Sequence, residues 1–245
     1  MRLLPVSIRS GNLQVSGLQY VPAVQPKELS ILLTHGYTAG KYSMDYLASI
    51  LARKGYTCLT YDLPGHLLGA TGGELREYED ALNCTMRCAE WFEGKTSGKL
   101  ILAGHSLGAA LSIHATIQYE KNSKSVLAGL VAMSIGENPF SGFESPLGQS
   151  MMQMRESHVA GLQAEQFLKE IDTHINHTND VIITKSLFLA GEQDFIAPPD
   201  RVEALANRIC KNSTYKELKT NHLEMPQRSA NTILSWLQSL MELQV

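Results

Sequence analysis

The chain has 245 residues, 44% of them hydrophobic and 18% charged, with a formal net charge of −3. That length and apolar content suffice for one large core, while the near-neutral balance excludes the basic field that nucleic acid or an anionic membrane would attract. No window approaches the roughly 18 apolar residues of a membrane span, and the apolar run before Pro5 is too short for a secretory leader, so a soluble, cytoplasmic protein without stable membrane insertion is expected.

In chain order, two alternating stretches near Val6–Arg9 and Leu13–Val21, separated by Gly11-Asn12, predict a leading hairpin. The continuous apolar run Leu29–Gly36 predicts a buried strand, and Tyr46, Leu47, Ile50 and Leu51 repeat at helical spacing up to Gly55. Tyr56–His66 reads as the next strand and Glu74–Gly94 as a helix, with acidic residues at its start and glycine at its end. Lys99–Ser106 is a strand, Leu107–Glu120 its helix and Val126–Ile135 a further strand. Later come a strand over Lys185–Asp194, a helix over Pro199–Cys210, a strand over Thr214–Thr220 and a closing helix over 229–243. Strand and helix alternating in this way predict an α/β fold, a mostly parallel sheet covered by helices on both faces. The whole chain, 1–245, reads as one domain.

Between Ile135 and Lys185 lie about fifty residues with no strand pattern, where βα connections usually take about 2 to 6. This insertion, 136–184, carries a turn-rich aromatic segment and then a helical pattern over 150–171 that opens with Met151, Met152 and Met154. It reads as a cap over a site, with Phe140, Phe143, Met151 and Met154 as candidate substrate contacts. The four cysteines have neither CxxC spacing nor a matching histidine pair, so no zinc site or disulfide framework is expected, and no metal or organic cofactor is implied.

The densest chemical signal is Leu100–Ala110, "LILAGHSLGAA". Gly104 and Gly108 flank Ser106 two residues away on each side, between a predicted strand and a predicted helix. A sharp strand-to-helix turn needs glycines where side chains would collide, and it aims its serine at the helix N-terminus, where free N–H groups stabilise negative charge. A serine hydroxyl is a weak nucleophile without a base, and the base needs an orienting acid. With the order serine, acid, histidine, His222 is the only one of the eight histidines that follows the candidate acid strand. Asp194, in a Gly-x-x-Asp spacing after Gly191 and followed by Phe195, Ile196 and Pro198, is the preferred acid, with Glu192 as the fallback. An oxyanion hole needs two N–H donors: Leu107 supplies one, and Tyr37 in "THGYTAG" the other. His35 and His66 read as residues that brace loops.

The pieces "HGYT", "YDLPGH", "GHSLGA", "GEQD" and the late "NH", in this order from about Leu29 onward, resemble the α/β-hydrolase superfamily in its small esterase, lipase and thioesterase branch. The resemblance implies Ser106 as nucleophile, Asp194 as acid, His222 as base, and Tyr37 and Leu107 as oxyanion donors. It implies a serine hydrolase acting through an acyl-enzyme on a small-molecule ester or thioester with a largely apolar acyl group. Related readings are carbon–carbon bond or lactone hydrolysis by the same triad, or a non-catalytic pocket on the same fold. The chain departs from the family after Asp62, where "PGHLLGATGG" puts Leu67 and Leu68 in place of the usual small polar turn.

Overall fold

The computed structural model describes residues 1–122 and 126–242, and of Phe140 only the backbone. Its elements in chain order are β1 (Arg2–Ser10), β2 (Leu13–Val21), β3 (Leu29–Thr34), α1 (Asp45–Arg53), β4 (Thr57–Tyr61), α2 (Tyr78–Glu93), β5 (Lys99–His105) and α3 (Leu107–Asn122). There follow β6 (Gly129–Met133), α4 (Pro146–Arg155), α5 (Ala164–Asn176), β7 (Ser186–Gly191), α6 (Pro199–Ile209), β8 (Ser213–Leu218), α7 (Met225–Arg228) and α8 (Ala230–Glu242). The closing helix expected over 229–243 is α8, and Leu243 lies outside the described residues.

These strands form one sheet in the order β1-β2-β4-β3-β5-β6-β7-β8. The hairpin β1–β2 and the β2–β4 pair are antiparallel and every other pair is parallel. Alternation along the central strands divides the core between two faces. Leu32, Leu100 and Leu102 pack with α2, α3 and α6 on one face, while Ile31, Leu33, Ile101 and Ala103 pack with α1 and α8 on the other. Helix α3 is buried nearly all round, which explains why its sequence is apolar or small without a polar stripe.

The chain order creates a topological switch. From β3 the chain moves to β4 on one side, then crosses back to β5 on the other, so the loops leaving β3 and β5 diverge at the carboxyl ends of adjacent strands and open a crevice there. The residues at those ends are Gly36–Thr38 and Ser106.

The helical pattern over 150–171 does not form one helix. Helix α4 stops at Arg155, and α5 begins only at Ala164. Between them Val159 pairs with His66 and Gly161 with Leu75, closed by Ala160 N–H to the Gly65 carbonyl (2.8 Å) and Leu162 N–H to the Leu75 carbonyl (2.7 Å). Gly161 sits at φ 120°, a value no helix accommodates. Backbone pairing with the loop after β4 therefore overrides local helical periodicity, and it fastens the β6–β7 connection across the crevice. The strand expected to run on to His66 stops at Tyr61 for the same reason, because the chain turns to receive that pairing.

Candidate active site

Ser106 occupies the single residue between β5 and α3, with φ 53°. The left-handed conformation strains a non-glycine residue, so the surroundings must hold it. The Ser106 N–H donates to the Met133 carbonyl of β6 (2.9 Å), and its carbonyl accepts from Ala109 and Ala110 at the start of α3 (2.9 and 3.1 Å). The glycines make the turn passable: a Cβ on Gly104 would overlap the Gly108 backbone, and one on Gly108 would overlap the Thr34 carbonyl of β3. This is the strand–serine–helix geometry expected from the sequence.

Asp194 follows the end of β7 and is only 3% exposed. Its Oδ1 accepts from Ile196 N–H (3.0 Å) and Ala197 N–H (2.8 Å), and its carboxylate faces His222 Nδ1 at 2.9 and 3.0 Å. Burial opposes its ionisation, but the His222 hydrogen bond and charge, the Ala197 N–H and the nearby Ser134 hydroxyl outweigh it and hold the carboxyl below its ordinary value. Glu192, the fallback acid, is exposed. Of the residues expected to cover Asp194, Ile196 is buried and Pro198 half-buried, but Phe195 is exposed, and Ala197 is buried in addition.

His222 lies between β8 and α7, in a loop tied to the acid loop by Gln193 N–H to the Thr220 carbonyl (3.0 Å). Because Nδ1–H is committed to Asp194, Nε2 is the nitrogen left to accept a proton. Ser106 and His222 line the same cavities. No hydrogen bond joins their side chains, as is common before a substrate tightens such a contact. His105 donates its Nε2–H to the His222 carbonyl (2.8 Å), with ring centres 4.9 Å apart. Burial, and then the charge on His222, drive the His105 pKa down to about 3, so His105 acts as a neutral brace.

The second loop of the crevice is built equally tightly. His35 Nε2 accepts from Leu63 N–H (3.0 Å), so its Nδ1–H donates to the Gly36 carbonyl (2.8 Å). His66 donates Nδ1–H to the Pro64 carbonyl (3.0 Å) and meets His35 edge-on at 4.9 Å. Both brace loops, as expected. Tyr37 stacks on Phe167 of α5 at 5.3 Å, and Thr38 stands at φ 61°, unusual for a β-branched residue. Among the described residues, the backbone N–H groups of Tyr37 and Leu107 donate to no protein acceptor, and both residues line a small cavity with Ser106. Beneath this loop lies an ion pair that spacing did not predict: Asp62 Oδ2 accepts from Lys41 Nζ (2.5 Å) and Ala70 N–H (2.8 Å), and Oδ1 from Lys41 N–H (2.7 Å). Both side chains are buried. In the divergent turn nearby, Leu67 and Leu68 are 61% and 57% exposed, with Leu68 at the rim of the crevice.

The crevice holds a cavity of about 350 Å³ lined by Tyr37, Thr38, Leu68, Ser106, Arg155 and His222, among others. Two smaller apolar recesses adjoin it, bounded by Phe143, Met151, Met152, Leu168, Ile171 and Ile196. Of the contacts expected from the sequence, Phe143 and Met151 line these recesses. Met154 does not: it is 73% exposed, because α4 turns that face outward. The Phe140 side chain lies outside the described residues. Met152, Arg155, Leu168 and Ile171 were missed: a continuous helix over 150–171 would present a different face at Leu168 and Ile171, and nothing in the sequence says that Met152 and Arg155 lie on the face of α4 that meets the crevice. Larger grooves, about 540 and 620 Å³, lie at the hairpin tip and along α4–α5, and neither is lined by Ser106 or His222. Among the described residues, no group of three or more His, Cys, Asp or Glu is placed to hold a metal ion, and no helix is long and apolar enough to cross a membrane.

Solved structures with the same fold include an esterase from Pyrococcus furiosus (17% identity, 98% of this chain and 91% of that one, TM-score 0.75). A thermophilic esterase from Thermogutta terrifontis is similar at 17% identity over 97% of this chain and 99% of that one (TM-score 0.71). Est1E from Butyrivibrio proteoclasticus, solved with ferulic acid, matches at 15% identity over 97% and 99% (TM-score 0.76). The model of the alpha/beta hydrolase family matches residues 31–230, a span from the third residue of β3 to the first of α8, and the chain is therefore a member of the alpha/beta hydrolase family.

Proposed function

We propose that the protein is a serine hydrolase that cleaves an ester or thioester with a compact apolar acyl group, through a Ser106–His222–Asp194 triad. The observation that carries this reading is the convergence of three loops on one crevice: strained Ser106 after β5, buried Asp194 after β7, and His222 with its Nδ1 held by that carboxylate. Ser106 Oγ attacks the acyl carbon while His222 Nε2 takes its proton, and Asp194 supports the imidazolium that results. The tetrahedral oxyanion accepts from the N–H groups of Tyr37 and Leu107. His222 returns the proton to the departing alcohol or thiol, and water repeats the sequence to release the acid. The apolar recesses walled by Phe143, Met151, Met152 and Ile196 suit the acyl chain, and the β6–β7 connection acts as the cap that carries most of them. The α/β-hydrolase membership and the esterases among proteins of like fold agree with this chemistry.

The test is a series of 4-nitrophenyl esters and matching acyl thioesters from two to twelve carbons. The recesses add only about 30 and 50 Å³, so kcat/KM should rise by several-fold per methylene over the first carbons and then fall. Replacing Phe143 by alanine should move the maximum to longer chains. A flat profile in both proteins would remove these recesses from substrate selection.

A further inference from the structure

The large cavity contains one permanent charge. Arg155, the last residue of α4, is half-buried and lines both the 350 Å³ cavity and the adjoining recess that holds Ser106 and His222. Its Nη1 donates to Thr38 Oγ1 (3.3 Å), and no carboxylate pairs with it among the described residues. No aspartate or glutamate lines either cavity. Its neighbour Glu156 is exposed and lines a different groove, beside Gln153 and Lys169, and although its charge reaches the Tyr37 hydroxyl it makes no ion pair with Arg155. The other nearby cation, Lys41, is committed to Asp62 beneath the loop, and the nearby imidazole of His105 is held neutral.

A guanidinium keeps its charge at any ordinary pH and offers five N–H donors, of which Thr38 uses one. Half-exposed, it keeps water on its free donors, and a ligand that displaces that water without supplying an anion would leave a costly unpaired charge. Two features narrow that anion. A single guanidinium matches the planar fork of a carboxylate, whereas a dianionic phosphate at this depth would need a second cation, and the cavity lining has none. Arg155 lines the 350 Å³ cavity and the near wall of the recess beside Met151 and Met152, but not the inner recess floored by Leu168 and Ile171, so the carboxylate it takes belongs to the portion of the substrate outside that inner recess. From this we infer that the substrate carries a carboxylate on its alcohol or thiol portion, and that Arg155 binds it. The inference rests on the serine-hydrolase reading for which portion of the substrate occupies the large cavity, but the presence of a carboxylate site does not depend on turnover.

The experiment pairs 3- and 4-butanoyloxybenzoate with their methyl esters, which replace the negative charge by a neutral group of similar shape, with release of butanoate followed and each rate divided by that of the uncatalysed hydroxide reaction. The quantity read is the ratio of kcat/KM for the acid to that for its methyl ester. In the wild-type protein at least one isomer should show a ratio above about ten, carried mainly by KM, and Arg155→Gln should lower it by about tenfold or more. Arg155→Lys should recover part of it, and Arg155→Glu should invert it. If Arg155 merely braces the Thr38 loop, acid and methyl ester lose activity together and the ratio stays constant, which overturns the inference. A wild-type ratio near one for both isomers overturns it as well. Calorimetric titration of the same acids into Ser106→Ala, with and without Arg155→Gln, gives the readout without catalysis. Binding weakened about tenfold by Arg155→Gln supports the site, and equal binding overturns it. A protein that binds the acids through Arg155 but does not turn them over would defeat the hydrolase reading while leaving the carboxylate site standing.

Discussion

Replacing Asp194 by asparagine removes the one negative charge that faces His222 while keeping the side-chain shape. In the native site the carboxylate lies 2.9 Å from His222 Nδ1 and accepts from two backbone N–H groups at 2.8 and 3.0 Å. Two unit charges at that separation, with an effective dielectric constant of about 20, attract by about 6 kcal/mol. That attraction exists only when His222 carries the proton of Ser106, so it belongs to the transition state, and each 1.36 kcal/mol counts as about tenfold in rate. The asparagine also presents its amide N–H₂ either to the Ile196 and Ala197 donors or to His222, and either choice leaves a clash of donors in a buried place. We expect kcat for a short acyl ester to fall by about 10³ to 10⁴, with KM changed by less than about threefold. Stopped-flow acylation with 4-nitrophenyl butyrate, beside the thermal midpoint of each variant, separates lost chemistry from lost fold. Glu192→Gln, at an exposed position, serves as the comparison and should stay within about twofold. A tenfold or smaller loss in a folded Asp194→Asn protein would refute this assignment of the acid.

Gly108→Ala puts a methyl group onto the Thr34 carbonyl, so the elbow must shift; we expect about 1–3 kcal/mol of destabilisation in urea melts and a loss of acylation rate beyond what the unfolded fraction explains. Lys41→Met leaves Asp62 buried without its cation and should destabilise by about 3–5 kcal/mol, whereas Lys41→Met with Asp62→Leu should recover much of that in the same melts. Acid should unfold the protein early. Burial lowers His66 and His105 to about 3 and His114 to about 4, whereas unfolded histidine titrates near 6.5, so the unfolded chain holds up to three more protons between these values. Stability from these groups is complete above about pH 6.5 and falls by up to about 4 kcal/mol per pH unit towards pH 4, with Asp194 adding its own loss below that; urea midpoints that stay level from pH 7 to 5 would contradict it.

What was legible in the sequence was whatever the backbone itself demands. Gly104, Ser106 and Gly108 announce the elbow because only glycine fits where β3, β5 and α3 come within contact distance, and that need is local to a few residues. Asp194 and His222 were legible through chain order and strand ends, since a mostly parallel sheet brings the carboxyl ends of its strands to one edge. The interior of the 136–184 insertion was not. Its periodicity suggested one helix over 150–171, whereas the pairing of Val159 and Gly161 with His66 and Leu75 is long-range and nothing in the local pattern reports it; nor does that pattern say which face of α4 meets the crevice, so Met154 could not be told from Met152. Arg155 was invisible because a single arginine on a helix has the spacing of any solvated surface charge, and only the docking of α4 over the crevice turns it towards Thr38. The Lys41–Asp62 pair was hidden because a buried lysine has no spacing signature.

The central claim is that Ser106 is the nucleophile of a working triad, and covalent capture tests it most directly. Wild-type protein, Ser106→Ala and His222→Ala are each incubated with a fluorophosphonate, and intact mass and peptide mapping report the adduct. The account predicts one phosphonyl adduct, on the peptide that contains Ser106, formed rapidly by the wild type, absent from Ser106→Ala and slowed by at least about 10³ in His222→Ala. An adduct that persists in folded Ser106→Ala, or a folded wild type that takes none, would contradict it.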